Sequence, residues 1–258
     1  MTTAAMTDQF DIGRVASRAF DLIARNIVLL GALALLLYGL PKLGASMLEA
    51  ATDNMPGFPG AVFSMTGGVY GLLALLGYVA LQAAVVHVCV SDMNGRRAQL
   101  PDSLRAALTN YGALFGVVIL SFLGILLGTL ALVVPGLMLA TSSAVAVPAA
   151  AIERTGVQAS FARSAWLTRG HRWSILAIIA VFIVAQWIVR GAVHGLQGGM
   201  LDVMHVMDPI SDLAQGLTGD LFETLFALIG SVMVVSTYYE LRMIKEEIGP
   251  ADLDDQIA

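Results

Sequence analysis

Long apolar stretches alternate with short polar segments along almost the whole chain. A helix needs about 20 largely apolar residues to cross the ~30 Å hydrocarbon core of a bilayer. Six stretches meet that requirement, and they predict membrane-spanning helices at about 27–48, 62–90, 112–134, 136–152, 173–195 and 221–241. The pattern therefore predicts an all-α polytopic membrane protein.

The third and fourth stretches are separated by no charged residue. Between Arg105 and Glu153 lie 47 residues without an Asp, Glu, Lys or Arg, which is room for two spans joined by a tight turn. Proline removes a backbone donor and glycine permits a turn, so the break is predicted at Val134-Pro135-Gly136.

A shorter, amphipathic pattern precedes the first, third and fifth spans. In 12–25 the apolar residues recur at spacings of three and four, and the charged residues fall on the opposite face. Similar segments occur at 105–112 and 163–170. This pattern is typical of a helix that lies in the membrane interface. We therefore expect six transmembrane helices as three hairpins, each preceded by a cytoplasmic interfacial amphipathic helix; the alternative is a chance similarity among alanine-rich helices.

The remaining segments are short and polar. Residues 49–61 predict an irregular loop, and 196–220 predict a short helix resting on the outer surface. Residues 246–258 hold five acidic side chains and are expected to be a solvated, disordered tail. Residues 1–245 then form a single membrane domain.

Composition narrows the protein class. The chain of 258 residues is 57% hydrophobic and 13% charged, too few charges to cover a water-soluble domain. The net charge of −5 argues against a nucleic-acid partner. The single cysteine, Cys89, excludes an internal disulfide and any multi-cysteine metal or iron–sulfur site, and no cofactor is expected.

Basic residues predict the orientation. All Lys and Arg residues except Lys42 and Arg190 fall on one set of segments, so both termini are expected in the cytoplasm. The alternative for the first span is a cleaved signal peptide with 28–40 as its apolar core. Three aspartates before that core argue against it.

Polar residues inside spans are candidates for function because they are costly when unpaired in hydrocarbon. Gln186, Arg190 and His194 recur every four residues and share one helix face. Either they face a cavity, or Arg190 and His194 simply reach the headgroups. Glu223 is expected at the depth of Arg190 and predicts an ion pair, with Asp220 as the competing partner. The predicted intramembrane polar cluster consists of Gln82, Gln186, Arg190, His194 and Glu223.

A basic, tryptophan-containing segment before the fifth span predicts contacts with lipid headgroups. Each cation near an anionic leaflet contributes about 1 kcal/mol to membrane binding. The alternative is that these arginines only set the topology and the tryptophans only anchor the interface. The predicted contacts are Arg154, Arg163, Arg169, Arg172, Trp166 and Trp173.

Three stretches resemble a known family. They are the opening stretch from Phe10 to Asn26, then 135–173, which holds Pro135-Gly136, Pro148, Glu153, Gly156, Ala159, Arg163-Ser164, Leu167, Gly170 and Trp173, and the closing Tyr238-Tyr239-Glu240-Leu241-Arg242. Together they are similar to the signature of bacterial glycerophosphoryl diester phosphodiesterase membrane-domain proteins. The resemblance implies a polytopic inner-membrane fold. In the enzymes that lend the name, a catalytic barrel follows, which takes about 250 residues. Because no such barrel follows here, and no cluster of carboxylates and histidines could hold a catalytic metal, we expect no enzymatic activity.

The sequence thus favours a non-catalytic, lipid-facing or partner-binding membrane module. Membrane lipids are the expected partners, and a membrane protein or a second copy of the chain is a further option. The alternative is a small transporter or lipid translocator, which requires a polar path through the bundle.

Overall fold

The computed structural model describes residues 10–52, 60–154, 156–204 and 208–246, and only the backbone of 48–52, 60–67, 197–204 and 208–215. Within these ranges the chain is helical and contains no β-strand, which confirms the all-α prediction. The helices are α1 (Ile12–Ala34), α2 (Leu40–Thr52), α3 (Gly60–Met93), α4 (Leu100–Thr109), α5 (Tyr111–Ala131), α6 (Val133–Ser143), α7 (Ala146–Glu153), α8 (Val157–Thr168), α9 (Arg172–Met204) and α10 (Asp208–Glu246). A π-helical turn, Leu35–Gly39, joins α1 to α2.

Six helical stretches of the described chain are long and apolar enough to cross a bilayer. They are Ile12–Met47, Gly68–Met93, Tyr111–Ala131, Val133–Glu153, Arg172–Leu196 and Gly216–Glu246. Their positions agree with the predicted spans, apart from the ends. The protein is therefore a multi-pass membrane protein.

Consecutive spans pack as three hairpins, since α2 contacts α3, α5 contacts α6 and α9 contacts α10. A helical segment precedes each hairpin, namely the part of α1 before Asn26, then α4, then α8. The first two segments end at an asparagine with the same non-helical backbone, Asn26 (φ −119°, ψ 22°) and Asn110 (φ −120°, ψ 24°). The Asn26 side chain donates to Asp92 Oδ1 at 2.8 Å, which ties this kink to the end of α3. The depth of these segments in the membrane stays a prediction.

The core lies along α3 and α10. Both helices contact α1, α2 and α7, and α10 also contacts α8 and α9. The π turn packs closely on α3, because a Cβ at Gly77 would lie 1.9 Å from the Leu37 carbonyl oxygen. By contrast, α5 and α9 expose large apolar side chains such as Leu127 and Trp187. These two outer helices present the surface that faces lipid.

The turn between the third and fourth spans lies earlier than predicted. Leu132 is extended (φ −162°, ψ 142°) and α6 begins at Val133. Pro135 therefore lies in the first turn of α6, where its missing N–H breaks no helical hydrogen bond. Gly136 serves the hairpin contact instead, since a Cβ there would lie 2.1 Å from Thr129 Oγ1. The predicted break at Val134-Pro135-Gly136 is wrong because the proline marks the start of a helix.

The fourth span is interrupted between α6 and α7. Ser164 of α8 donates to the Ser142 carbonyl oxygen at 2.7 Å and accepts from the Val145 N–H at 3.3 Å. Val145 and Ser164 are both fully buried. The hydroxyl therefore replaces helical hydrogen bonds that the interruption removes.

Three predicted segments fall partly outside the described residues. The predicted loop 49–61 is helical in 49–52 and at 60–61, and 53–59 lie outside the description. The predicted separate helix within 196–220 is wrong for the described part, which continues α9 to Met204 and begins α10 at Asp208. Its apolar spacing continues the helical period of α9, and no proline interrupts it before Pro209. The predicted tail lies outside the description except for Glu246, which closes α10.

Candidate functional site

The helical bundle has two ends, which we call the basic end and the distal end. The basic end is where α1 begins and α10 ends, and the distal end is the opposite one. The segments 163–172 and 96–105, with their arginines, lie at the basic end together with α4 and α8.

Charged side chains from three spans meet near the distal end. Arg190 Nη1 of α9 lies 2.9 Å from Glu223 Oε1 of α10, which confirms the predicted ion pair. Lys42 of α2 also forms an ion pair with Glu223, and its Nζ lies 3.8 Å from Asp220 Oδ1. We call Lys42, Arg190, Asp220 and Glu223 the distal charge cluster. One carboxylate, Glu223, thus connects the first, fifth and sixth spans.

Helical spacing places the two acidic residues together. Asp220 and Glu223 are three residues apart and share one face of α10. Lys42 comes from the other side of the cluster, where α2 packs against α10. Sequence reasoning assigned Lys42 to the outer segments and missed its role. The available signal was its position inside the predicted first span, because a lysine among apolar residues requires a partner or a route to water.

Aromatic and amide groups extend this cluster toward the bundle centre. The Tyr38 and Tyr78 rings meet edge to face with their centroids 5.9 Å apart, and Lys42 Nζ lies 5.6 Å from the Tyr38 centroid. Gln82 Nε2 donates to Tyr78 Oη at 2.6 Å. Gln82 Oε1 is buried and has no hydrogen-bond partner among the described residues. Gln82 therefore reaches the cluster only through Tyr78.

A cavity of about 360 Å³ lies beside the cluster. Its lining residues are Tyr38, Tyr78, Phe182, Gln186, Glu223, Phe226, Ala227 and Gly230. A smaller cavity of about 20 Å³ shares Gln186, Glu223 and Phe226 with it and adds Arg190 and His194. We call the two together the distal cavity. Four of the five predicted polar residues line it, and the fifth, Gln82, is one hydrogen bond away.

The distal cavity is lined by polar and apolar side chains together, and it lies far along α9 from the basic end. Gln186 lies 14 residues beyond Arg172, which is ~21 Å along a helix. Toward the basic end the core closes, since Val79, Val85 and Val232 are fully buried. The charged side chains of the predicted cluster lie in the distal half, and α10 continues toward the basic end with buried hydroxyls at Ser231, Ser236 and Thr237 but no charged residue before Glu240.

A second set of ion pairs holds the basic end together. Glu240 is 2% exposed, and its carboxylate pairs with Arg14 at 2.7 Å and with Arg18 at 3.4 Å. Glu153 Oε1 accepts from Arg163 Nε at 2.7 Å and from Tyr238 Oη at 2.8 Å. These contacts fasten α1, α7 and α8 to the end of α10.

The predicted lipid-contact arginines divide into two groups. Arg163 is paired with Glu153 and Glu246, and its guanidinium lies 5.1 Å from the Trp166 ring centroid. Burial lowers the pKa of Arg163, but the hydrogen bonds and charges of Glu153 and Glu246 together raise it by more. The pKa of Arg163 therefore lies above the ordinary arginine value. Its charge therefore stabilises the fold. No ion pair joins Arg154, Arg169 or Arg172 to a carboxylate in the described ranges.

The two tryptophans lie where a lipid surface could meet them. Trp166 is partly exposed, and Trp173 at the start of α9 is 85% exposed. Amphipathic tryptophan rings favour the membrane interface. Contact between lipid headgroups and these six predicted residues stays a prediction.

Comparison with known protein families, curated proteins and solved structures finds no match to this chain. The resemblance to the glycerophosphoryl diester phosphodiesterase membrane-domain family therefore stays a prediction.

Proposed function

We propose that the protein is a non-catalytic membrane module that holds the headgroup region of a lipid in its distal cavity. The carrying observation is that Arg190 and Glu223 line a partly apolar cavity, while Lys42 and Asp220 lie beside it in the same ion-pair cluster. Further parts of the proposal are its location in a bacterial inner membrane, which the family resemblance implies, and the cytoplasmic position of both termini, which the distribution of basic residues supports.

The charges of the cluster suit a zwitterionic headgroup. In the cavity wall, Arg190 can donate charge-assisted hydrogen bonds to a phosphate and Glu223 can accept from an amine. Lys42 and Asp220 balance the charge beside them. These groups already neutralise one another in the structure. A neutral, dipolar ligand can therefore exchange partners with them without leaving a net charge in a region of low dielectric constant.

The apolar side of the cavity suits an acyl chain. Phe182 and Phe226 pack edge to face with their centroids 5.8 Å apart, and both line the cavity. The main contacts of α9 are with α6 and α10, and its outer face exposes Trp187 and Ile188 to lipid. A lipid could enter from the bilayer beside this helix.

The described residues favour binding over passage. A transporter or translocator needs polar groups along the whole route across the hydrocarbon. Between Tyr78 and the basic end the side chains of Val79, Leu81 and Val85 are fully buried, and α10 carries hydroxyls but no charged residue between Glu223 and Glu240.

We also propose membership of the glycerophosphoryl diester phosphodiesterase membrane-domain family. Its resemblance residues have structural roles here, which suits a module without catalysis. Glu153 pairs with Arg163, Ser164 caps the interrupted fourth span, and Tyr238 donates to Glu153.

The test is lipid retention after the cavity is filled. In the Ala227→Phe variant a phenyl ring occupies the distal cavity without altering a charge. Ala180→Phe is the matched control, because Ala180 lies on the exposed face of α9. Native mass spectrometry of protein extracted in mild detergent should show bound phospholipid in the wild type and in A180F, and little in A227F.

A second variant tests the cavity independently, so that misfolding of A227F cannot account for a loss of lipid. Gln186→Leu removes one polar wall residue at nearly constant volume. It should lower phospholipid retention while size-exclusion behaviour stays that of the wild type. Equal retention in all four proteins would contradict the proposal.

A further inference from the structure

A separate cavity of about 260 Å³ opens at the basic end, between α3, α4, α5 and α7. Its polar lining includes His87, Ser91, Asn94, Arg96, Asn110 and Arg154. No aspartate or glutamate of the described chain lines it. We call it the basic cavity, and its lining carries a positive charge.

The two arginines of this cavity differ from most others in the protein. Arg14, Arg25 and Arg163 each lie within 4.0 Å of a carboxylate. Arg96 and Arg154 have no such partner in the ranges that the structure describes. Their charge is therefore available to a ligand.

Both arginines follow a helix end, and both line the cavity. Arg154 has φ 49° and ψ 32° and ends α7; it is the sole non-glycine residue with positive φ in the described ranges. Arg96 follows the left-handed Gly95 that ends α3, and its N–H donates to the Ser91 carbonyl oxygen at 2.9 Å. A left-handed arginine costs about 1–2 kcal/mol. Such strain collects at binding sites more than elsewhere.

Part of the lining of the basic cavity is apolar. Ala83, Val86 and Leu114 belong to it and are buried. His87 also lines the cavity, and its Nδ1 lies 3.3 Å from Ser103 Oγ. Asn94 and Asn110 add neutral amides to the same lining as the two arginines. A compact anion could therefore meet both guanidinium groups and neutral donors together.

We propose that the basic cavity binds a phosphate group through Arg96 and Arg154. Guanidinium groups match phosphate oxygens with paired hydrogen bonds, and neutral amides add donors without competing charge. The phosphate could belong to a lipid headgroup at that surface or to a soluble molecule. This site is at the opposite end from the distal cavity, so it does not depend on the proposed function.

The competing explanation is local electrostatics. Both arginines follow the C-terminus of a helix, where a cation is stabilised by the helix dipole. The Arg154→Gly variant separates the two explanations. Glycine relieves the left-handed strain, so R154G should be at least as stable as the wild type, yet bind phosphate at least tenfold more weakly. If Arg154 only interacts with the helix dipole, R154G should be less stable than the wild type and should bind phosphate equally well.

The experiment uses the full chain in nanodiscs of phosphatidylcholine. Thermal stability is measured against inorganic phosphate, with chloride at matched ionic strength as the reference. In a second arm, phosphatidic acid replaces part of the phosphatidylcholine. Saturable stabilisation by inorganic phosphate supports a soluble source, and stabilisation by phosphatidic acid alone supports a lipid source.

Variants decide whether the effect comes from this cavity. R96Q/R154Q should lose at least tenfold in affinity for the effective probe. R97Q is the matched control, because Arg97 is exposed and does not line the cavity, and it should bind like the wild type. The proposal is overturned if neither probe stabilises the wild type saturably, if R96Q/R154Q responds as the wild type does, or if R154G loses stability and keeps its binding.

Discussion

Replacing Glu223 by glutamine should destabilise the folded protein, because it removes two ion pairs of unequal strength. Glu223 pairs with Arg190, whose side chain is 61% exposed, and with Lys42, whose side chain is 22% exposed. At an effective dielectric constant of 20, two charges 4 Å apart attract by about 4 kcal/mol before desolvation is subtracted. In a solvent-exposed ion pair most of this attraction is lost. The coupling between Glu223 and Arg190 should therefore be about 0.2–1 kcal/mol.

The coupling to Lys42 should be larger. Its ammonium is less exposed and lies within the apolar part of the first span, so we expect about 1–3 kcal/mol. The Asp220 carboxylate, 3.8 Å from Lys42, keeps part of that stabilisation in the E223Q variant. The loss on E223Q alone is therefore expected near the middle of this range.

Two double-mutant cycles measure these couplings. Thermal unfolding in detergent is recorded for E223Q combined with K42Q and with R190Q, where 1 kcal/mol corresponds to about 2–4 °C for a chain of this size. Both double variants should lose less than the sum of their single variants, and the K42Q cycle should show the larger difference. R169Q with E223Q is the control and should be additive within about 0.5 kcal/mol. Strict additivity in the K42Q cycle would refute the claim that Lys42 and Glu223 stabilise one another.

Three further predictions address the rest of the fold. Glu240→Gln removes the buried carboxylate that pairs with Arg14 and Arg18 and should cost about 1.5–3 kcal/mol, seen as a lower unfolding temperature; an unchanged temperature would count against the ion pairs at the basic end. Ser164→Ala leaves the buried Val145 N–H unpaired and should cost about 1–3 kcal/mol, whereas Ser17→Ala, on the exposed side of α1, should stay within about 0.5 kcal/mol. Reporter fusions at Ala258 should report the cytoplasm and fusions at Asn54 the periplasm, and a periplasmic C-terminus would reverse the proposed orientation.

Hydropathy was sufficient to predict the number of spans because each hydrocarbon crossing requires a long apolar run. It could not locate the turn at Leu132. Pro135 and Gly136 are typical of a turn, yet in the structure they lie in the first turn of α6. The interruption at Val145 was also beyond sequence reasoning, because the compensating hydroxyl of Ser164 comes from a different helix.

The candidate site was also predictable from the sequence only in part. The spacing of Gln186, Arg190 and His194 predicted a shared face, and equal depth predicted the pair of Arg190 with Glu223. The third partner, Lys42, depends on how α2 packs against α10, which no local pattern specifies. Long-range packing also pairs Arg163 with Glu246, although its surroundings in the sequence favoured lipid contact.

A structure determined in lipid nanodiscs would show whether the distal cavity holds a lipid. We expect density for one phospholipid, with its headgroup within hydrogen-bond distance of Glu223 or Gln186 and an acyl chain against Phe182 and Phe226. The same density should be missing from A227F and present in A180F. A distal cavity that holds only water, or that closes because Phe182 packs on Tyr78, would contradict the account.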